Sequence, residues 1–577
     1  MLTAIEAATK GPASGDGASA ARAEGSAPTT ARAPSAPRSF DAIVVGGGHN
    51  GLTTAAYLAH AGLRVIVLER RPIVGGACVT EELWPGVRVS RASYVVSMLQ
   101  PRVVSDLRLR DHGYRAIPLD PAYAALTREG AIFFFNEPSR TARSIAAFSP
   151  PDGQVYEAFE GLLDRTASLL RPMMMREPPA LGSRHPTDLW RLMREAARTA
   201  GLGRRDVHDL VRVLTMSVGD LLDDWFEHPG LKGSIASTGV VGVWAGPRTP
   251  GTAYNLLHHA LGEIDGIPGG WGQVVGGMGA ISRALARSAE AGGAEIRTDA
   301  PVASIDIRGG RAHGVTLADG TEIRAPIVAS GAHPKTTILD LAGAEHFPED
   351  VARDMRRYRT RGGSVKINLV LGEAPRYKGV TDEQQHMLER TGVNLCPSID
   401  YLERAWQDTL AGKPAAEPYV EAELPSAVDS SLTDDGRWVM TMFTQYGPPE
   451  EEAWGAGARD RYANACIEHL ARYAPNVPGA ILEREILAPP DLERIFGLVG
   501  GSIFQGEQGL DQMAFMRPSP LLSSYATPVG GLYLCGAGTH PGGGVMAASG
   551  HNAAKRILRD RRLSRLRHPA ASSRAVG

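Results

Sequence analysis

Three glycines and one acid are spaced to hold a dinucleotide. Gly46-x-Gly48-x-x-Gly51 follows a short apolar run, Ala42 to Val45, and opens a stretch of small and apolar residues, Leu52 to Ala61, at helical spacing. Gly46 allows the tight strand-to-helix turn, Gly48 lets the backbone approach a pyrophosphate, and Gly51 lets helix and strand pack closely. The free N–H groups at the helix start then face the phosphates. Gly62 ends the helix, and Arg64 to Leu68 reads as a second strand. Glu69, 18 residues beyond Gly51, is placed to accept hydrogen bonds from a ribose diol. His49 and Asn50 inside the turn, and Arg70 beside Glu69, belong to the same expected site.

Other reactive side chains are weighed singly. Lys366 is the one cation inside the apolar strand SVKINLVL, Ser364 to Leu371. It either faces a cofactor and holds a water there, or lies at a surface edge. His540, in a glycine-rich turn, is either an acid/base group or a helix cap. His258-His259 has no acid or cysteine at ligand spacing, so packing is expected there and no metal. Met173-Met174-Met175 reads as core packing or an adaptable apolar pocket. The four cysteines, Cys78, Cys396, Cys466 and Cys535, form no Cys-x-x-Cys pair, which argues against dithiol, zinc and iron–sulfur chemistry.

Composition sets the frame. The chain has 577 residues, 61 Lys and Arg against 63 Asp and Glu, and 43% apolar residues. It can bury a large core in two or three domains, and its balanced charge gives no field for nucleic acid. No apolar run approaches the ~20 residues of a membrane span, although peripheral membrane contact stays open. Residues 1–39, rich in Ala, Ser, Gly and Pro, read as a disordered extension. Their acids Glu6, Asp16 and Glu24 count against an organelle presequence, so a cytoplasmic location is expected, with the mitochondrial matrix as the eukaryotic alternative.

The elements that must position these residues follow in order. Val155 to Leu170 and Val207 to Phe226 read as helices. Gly276-Gly277-Met278-Gly279 before the helix Ala280 to Ala291 imitates a second fingerprint, but Trp271, Gly272 and Gln273 make a poor buried strand before it. Val302 to Ile307, His313 to Leu317 and Glu322 to Ile327 read as a small meander. Trp438 to Thr444 reads as a strand and Arg459 to Tyr473 as a helix. Near the end, Gly530 to Leu534 is an apolar strand that runs through Gly536, Gly538, Gly543, Gly544 and Val545 into a helix, Ala547 to Leu558. This again brings backbone N–H groups and a helix start toward the cofactor.

Several of these stretches resemble known flavoproteins. Arg71-x-x-x-Gly75-Gly76-x-x-x-Thr80 resembles the extension after the second strand of amine-oxidase-like and phytoene-desaturase-like FAD enzymes, with Ala77 where they often carry Arg. Ile327 to Ala332 resembles the step that returns the chain to the nucleotide domain, with Ser330-Gly331 for Thr-Gly. Ala537-Gly538 stands where many such proteins carry Gly-Asp. The combination VVGGGHNGL, VWAGPRTPGTAYNLLHH, GGMGA, GGSIFQGE, DQMAFMRPSP and GLYLCGAGTHPGGGV resembles the pyridine nucleotide-disulphide oxidoreductase domain-containing protein 2 family, within the phytoene desaturase group. The resemblance implies FAD as cofactor, backbone contacts from Val302 to the adenine, and His540 with the Gly542 to Gly544 backbone beside the flavin. For eukaryotic members it also implies a regulatory role in mitochondrial function.

The expected fold is α/β: a Rossmann-like FAD-binding domain, a parallel sheet plus β-meander, with an inserted mixed α+β substrate domain. The nucleotide domain takes residues 40–87, 272–335 and 516–560, the substrate domain 88–271 and 336–515, and 561–577 form a basic tail. The expected function is hydride transfer to flavin from a hydrophobic, polyene- or isoprenoid-like CH–CH substrate, or flavin-mediated isomerisation. Oxygen or a quinone is the expected electron acceptor. Amine or amino-acid oxidation and a non-catalytic scaffold are the alternatives.

Overall fold

The strand Ala42–Val45 alternates its side chains between two cores. A computed structural model describes residues 39–178, 189–190, 192–194, 201 and 203–567. Ala42–Val45 lies at the centre of a five-stranded parallel sheet in the order Glu295–Arg297, Val65–Leu68, Ala42–Val45, Val328–Ser330, Leu532–Leu534. Val44, Val65 and Val67 turn to one face, against Leu52 and Leu58 of helix His49–His60, Ile281 and Leu285 of helix Gly279–Ala291, and Ile557 of helix Ala548–Arg567. Ile43, Val45, Ile66 and Leu68 turn to the other, against Ile305 and Val315 of the meander. Burial on both faces is why these strands read as unbroken aliphatic runs.

The meander is antiparallel: Val302–Arg308, Arg311–Leu317 and Glu322–Arg324. Its third strand stops short of the expected Ile327 because Pro326 has no N–H for the ladder. The apparent second fingerprint lies outside the parallel sheet. Gly272–Val274 instead pairs antiparallel with Ala116–Pro118. Val103, Leu107 and Leu109 share the core of Leu58 and Ile281, so this stretch packs on the nucleotide half although the sequence boundary was set at 87.

The second sheet has seven strands: Ile481–Leu487, Ser364–Leu371, Trp438–Gln445, Tyr419–Glu423, Gly392–Leu395, Tyr123–Leu126 and Ala131–Phe134. All pairs are antiparallel except Gly392–Leu395 with Tyr123–Leu126. Val365, Ile367 and Leu369 share a core with Leu402 and Ile467 of helices Ile399–Leu410 and Ala458–Ala471.

Some expectations are corrected. The single helix expected over 207–226 is two, Arg204–Thr215 and Val218–Asp223, because the Ser217 side chain accepts from Asp220 N (3.0 Å) and starts a new helix. The last helix does not end at the expected Leu558 but runs through Arg567. Glu177 secures it, bound to Arg556 and Arg559 at 2.6 Å each. The expected disorder falls almost wholly on residues 1–38, and the end of the basic tail on 568–577, both outside the described residues. Among the described residues no helix is long and apolar enough to cross a membrane.

Candidate functional site

The fingerprint turn forms because Gly46 takes φ +92° and Gly51 leaves room for it: a Cβ on Gly51 would lie 2.1 Å from the Gly46 carbonyl oxygen. Gly48 caps helix His49–His60, no side chain caps that helix start, and its first turn holds no acid. Orphan N–H groups therefore face outward, as an anion requires. Glu69 closes the second strand, buried. Its Oε2 accepts from Gly47 N (2.7 Å) and its Oε1 from Arg71 N (2.9 Å), which aims the carboxylate beside the turn. Gly75 N donates to Gly47 O (2.8 Å), so the Gly75-Gly76 step runs against the fingerprint backbone.

A cavity of about 520 Å³ opens from this turn. Its wall includes Gly46, Gly48, His49, Asn50, Gly51, Glu69, Arg70, Arg71, Gly75, Gly76, Ala77, Val302, Gly331, Gly536, Gly544, Val545 and Lys366. Burial holds the His49 imidazole down to about 4, so it is neutral at neutral pH. Asn50 Oδ1 accepts from Gly550 N (3.2 Å) and ties the turn to the last helix. Arg70 is exposed and reaches Ile495 O (3.3 Å). Arg71 Nη2 bonds Glu81 at 2.7 and 2.8 Å, while its buried Nη1 has no partner. An orphan guanidinium N–H beside an uncapped helix start and a carboxylate at the second strand end is the donor set that pyrophosphate and ribose need. The residues fit a dinucleotide cofactor.

Four expected residues point elsewhere, and these are corrections. The Ser330 hydroxyl bonds Thr337 Oγ1 (2.7 Å) inside the core. Gly538 abuts Pro334, and Gly543 abuts the Phe504 backbone. His540 is buried and off the cavity, its Nε2 against Met173 O (3.0 Å), and burial pulls its ring down to about 4. The methionine run does not line this cavity, and Met174 is in the large core. All four cysteines are buried and free, and burial pushes every thiol up, Cys78 to about 11 and Cys535 to about 12.

Lys366 is the opposite case, being no surface lysine. It is 3% exposed, donates to Asn368 Oδ1 (2.9 Å) and lies 5.0 Å from the centre of the Tyr94 ring. Strand register builds a wall around it. Lys366, Phe443 and Glu421 form one row, and Asn368, Thr441 and Glu423 the next. Tyr94 stacks on Phe443 with centroids 5.9 Å apart, and its hydroxyl donates to Glu421 (2.8 Å). Tyr419 donates to the other Glu421 oxygen (2.9 Å). Burial pulls the Lys366 ammonium down to about 7, against the attraction of Glu423, Glu485 and Glu421. Burial and then Glu421 push Glu423 well above the carboxylate range, and burial also raises Glu421. Tyr94, Phe443, Glu421 and Glu423 were missed from sequence. The signal was YVEAE, with acids at alternate positions of an otherwise apolar strand. His259, expected to pack, does so on Trp271 (5.8 Å), yet both line the cavity.

The family model described as flavin containing amine oxidoreductase matches residues 51–558. The chain belongs to this family. The flavin containing amine oxidoreductase family places it as an FAD-dependent oxidoreductase. It is 37% identical to pyridine nucleotide-disulfide oxidoreductase domain-containing protein 2 of Rattus norvegicus, over 90% of this chain and 94% of the rat protein. It is 26% identical to a lycopene-forming phytoene desaturase of Paracoccus sp., over 89% and 96%. Wild-type putrescine oxidase bound to putrescine shares the fold, at TM-score 0.55 and 16% identity, over 91% of this chain and 99% of that one. As in this family, FAD is the cofactor that the fingerprint cavity fits. The four buried, separate thiols give no dithiol, whatever the rat protein's name says.

Proposed function

We propose that this FAD-dependent oxidoreductase acts on a hydrophobic, polyene- or isoprenoid-like substrate, by CH–CH desaturation or isomerisation. One observation carries the reading. Beyond the fingerprint turn the cavity wall is largely apolar and aromatic, with Met98, Val241, Trp271, Phe443 and Phe504, and the charged group beside Phe443 and Tyr94 is a cation, Lys366. An aliphatic amine would enter as a cation beside Lys366, and Tyr94 and Phe443 stack on each other, not across a gap. The likeness to a phytoene desaturase supports the same side.

When bound, FAD takes two electrons and one hydrogen from a substrate carbon. The chain supplies the rest. Gly48, Arg71 and Glu69 orient the dinucleotide, and Val302 meets its adenine end. The aromatic wall excludes water and holds the substrate's length. Lys366, held by Asn368, accepts the proton that the neighbouring carbon loses once pH exceeds about 7. Oxygen or a quinone would serve as the electron acceptor, and the protein would work in the cytoplasm, in peripheral contact with a membrane.

The test is an anaerobic screen of polyenes, retinoids and amines for bleaching of the bound cofactor. Bleaching by polyenes or retinoids supports the reading. Bleaching by amines alone replaces it with amine oxidation, and stoichiometric FAD that no donor bleaches leaves the scaffold alternative.

A further inference from the structure

The largest fully buried side chain in the described structure is an arginine without an acid. Arg517 is 0% exposed and forms no ion pair among the described residues. Its guanidinium is clasped by carbonyls. Nη2 donates to Phe504 (2.6 Å), Ala537 (3.4 Å) and Gly506 (3.5 Å), and Nη1 to Glu507 and Gln512 (3.3 Å each). Asp511, the nearest acid in sequence, pairs with Arg359 (2.8 Å), and Glu507 gives its carboxylate to Arg359 (3.0 Å) and Arg361 (2.8 Å). A buried guanidinium is costly unless something repays its lost hydration, and neutral carbonyls do so only in part.

Three motifs singled out in the sequence meet here. Phe504, Gly506 and Glu507 belong to GGSIFQGE, Gln512 and Arg517 to DQMAFMRPSP, and Ala537 to GLYLCGAGTHPGGGV. The last of these forms the cavity wall at Gly536 and Ala537, where Gly536 packs on Gly331 beside the fingerprint turn, and at Gly544 and Val545, where Gly544 packs on Met98. Gly542 presents no side chain to the guanidinium: a Cβ there would stand 3.6 Å from the unpartnered Arg517 Nε. Gln508 is buried in the same place with Nε2 and Oε1 unpartnered, its Nε2 3.3 Å from a Cβ built on Gly542. The histidines do not share the positive charge. Burial, helped by Arg517 itself, holds His258 and His333 to about 3 and His540 to about 4.

We propose that Arg517 is a positioning residue whose fixed positive charge, set one layer behind the Gly536–Val545 loop, stabilises the negative charge the bound FAD gains when it takes up electrons. A dinucleotide whose pyrophosphate sat at Gly46–Gly51 would extend along this cavity and bring its redox-active ring system toward Gly544 and Phe504, which line it. The counter-charge that Arg517 lacks in the protein is then supplied by the cofactor, and only in its reduced form. The inference rests on FAD occupying the cavity.

The test compares wild type, Arg517→Met and Arg517→Lys, each loaded with FAD, by reduction against a reference dye. In Arg517→Met the reduced-to-oxidised ratio at a fixed solution potential falls at least ten-fold, a midpoint drop of about 30 mV for a two-electron couple. Arg517→Lys recovers part of it, which a merely structural clasp would not predict. Arg517→Met that holds stoichiometric FAD at an unchanged midpoint overturns the proposal. Should both variants fail to fold, sulfite decides on Lys366→Met, which removes the lysine that lines the cavity, since sulfite bleaches flavins held against a positive charge. Saturable bleaching supports the proposal and its absence overturns it. Wild type that takes up no FAD overturns this inference and the cofactor assignment together, whereas bound FAD with an unmoved midpoint overturns this one alone.

Discussion

Two helices of the nucleotide half begin in glycine-rich turns, and they spend their free N–H groups differently. At Gly279–Ala291 the start is closed by protein: Asp429 Oδ2 accepts from Gly276 N (2.6 Å), Ser90 Oγ from Met278 N (3.0 Å) and Thr80 Oγ1 from Gly279 N (2.8 Å). At His49–His60 Glu69 takes Gly47 N (2.7 Å), but no side chain caps the helix start itself, and the turn opens on a cavity that holds an unpartnered Arg71 nitrogen. Glycine spacing alone does not separate a binding turn from a structural one; the fate of the N–H groups does. Thr80, part of the Gly-Gly extension, accordingly serves as a cap and not as a cofactor contact.

The comparison breaks most severely at Gly51. Gly51→Ala pushes a methyl group into the Gly46 carbonyl, and the purified protein is expected to lose bound FAD altogether, read from its visible spectrum. Lys366→Met separates cofactor from chemistry. FAD stoichiometry stays at wild-type level while anaerobic bleaching by an active donor slows about 10²-fold. Lys366 is charged below about 7 and neutral above it, so the wild-type rate rises with pH through that value and the variant loses that limb. Arg71→Met removes the orphan donor of the open turn, and FAD binding weakens by roughly ten-fold, about 1.4 kcal/mol, measured by equilibrium titration of apoprotein. Asp429→Ala opens the closed turn. It is expected to cost about 1–2 kcal/mol of stability, seen as a lower Tm, with FAD stoichiometry intact. Loss of FAD from Asp429→Ala at unchanged Tm would erase the distinction between the two turns.

The parallel sheet was legible because every cue for it is local. An aliphatic strand, a glycine turn, a small-residue helix and a second strand occupy fewer than 30 residues from Ala42. The Lys366 wall was not, because Lys366, Phe443 and Glu421 come from separate strands that only register brings together, and Tyr94 reaches them from a loop. Glycine motifs trace the path of a backbone but not which side faces a ligand. Gly544 and Val545 line the cavity while Gly543 and Gly538, in the same motif, turn into the protein. Lys366 carried a true signal, a cation in an apolar strand, whose two explanations differ only in burial.

The order of strands in the two sheets constrains how the chain is made. Val328–Ser330 stays an unpaired edge until Leu532–Leu534 has left the ribosome, and Tyr123–Leu126 waits for its parallel partner, Gly392–Leu395, some 270 residues later. The seven-stranded sheet is complete only once Leu487 is made and the parallel sheet only once Leu534 is, so each holds apolar edges open through most of synthesis. Fragments cut at any boundary before 532 are therefore expected to aggregate, and the two halves to fold as one cooperative act at the end of translation.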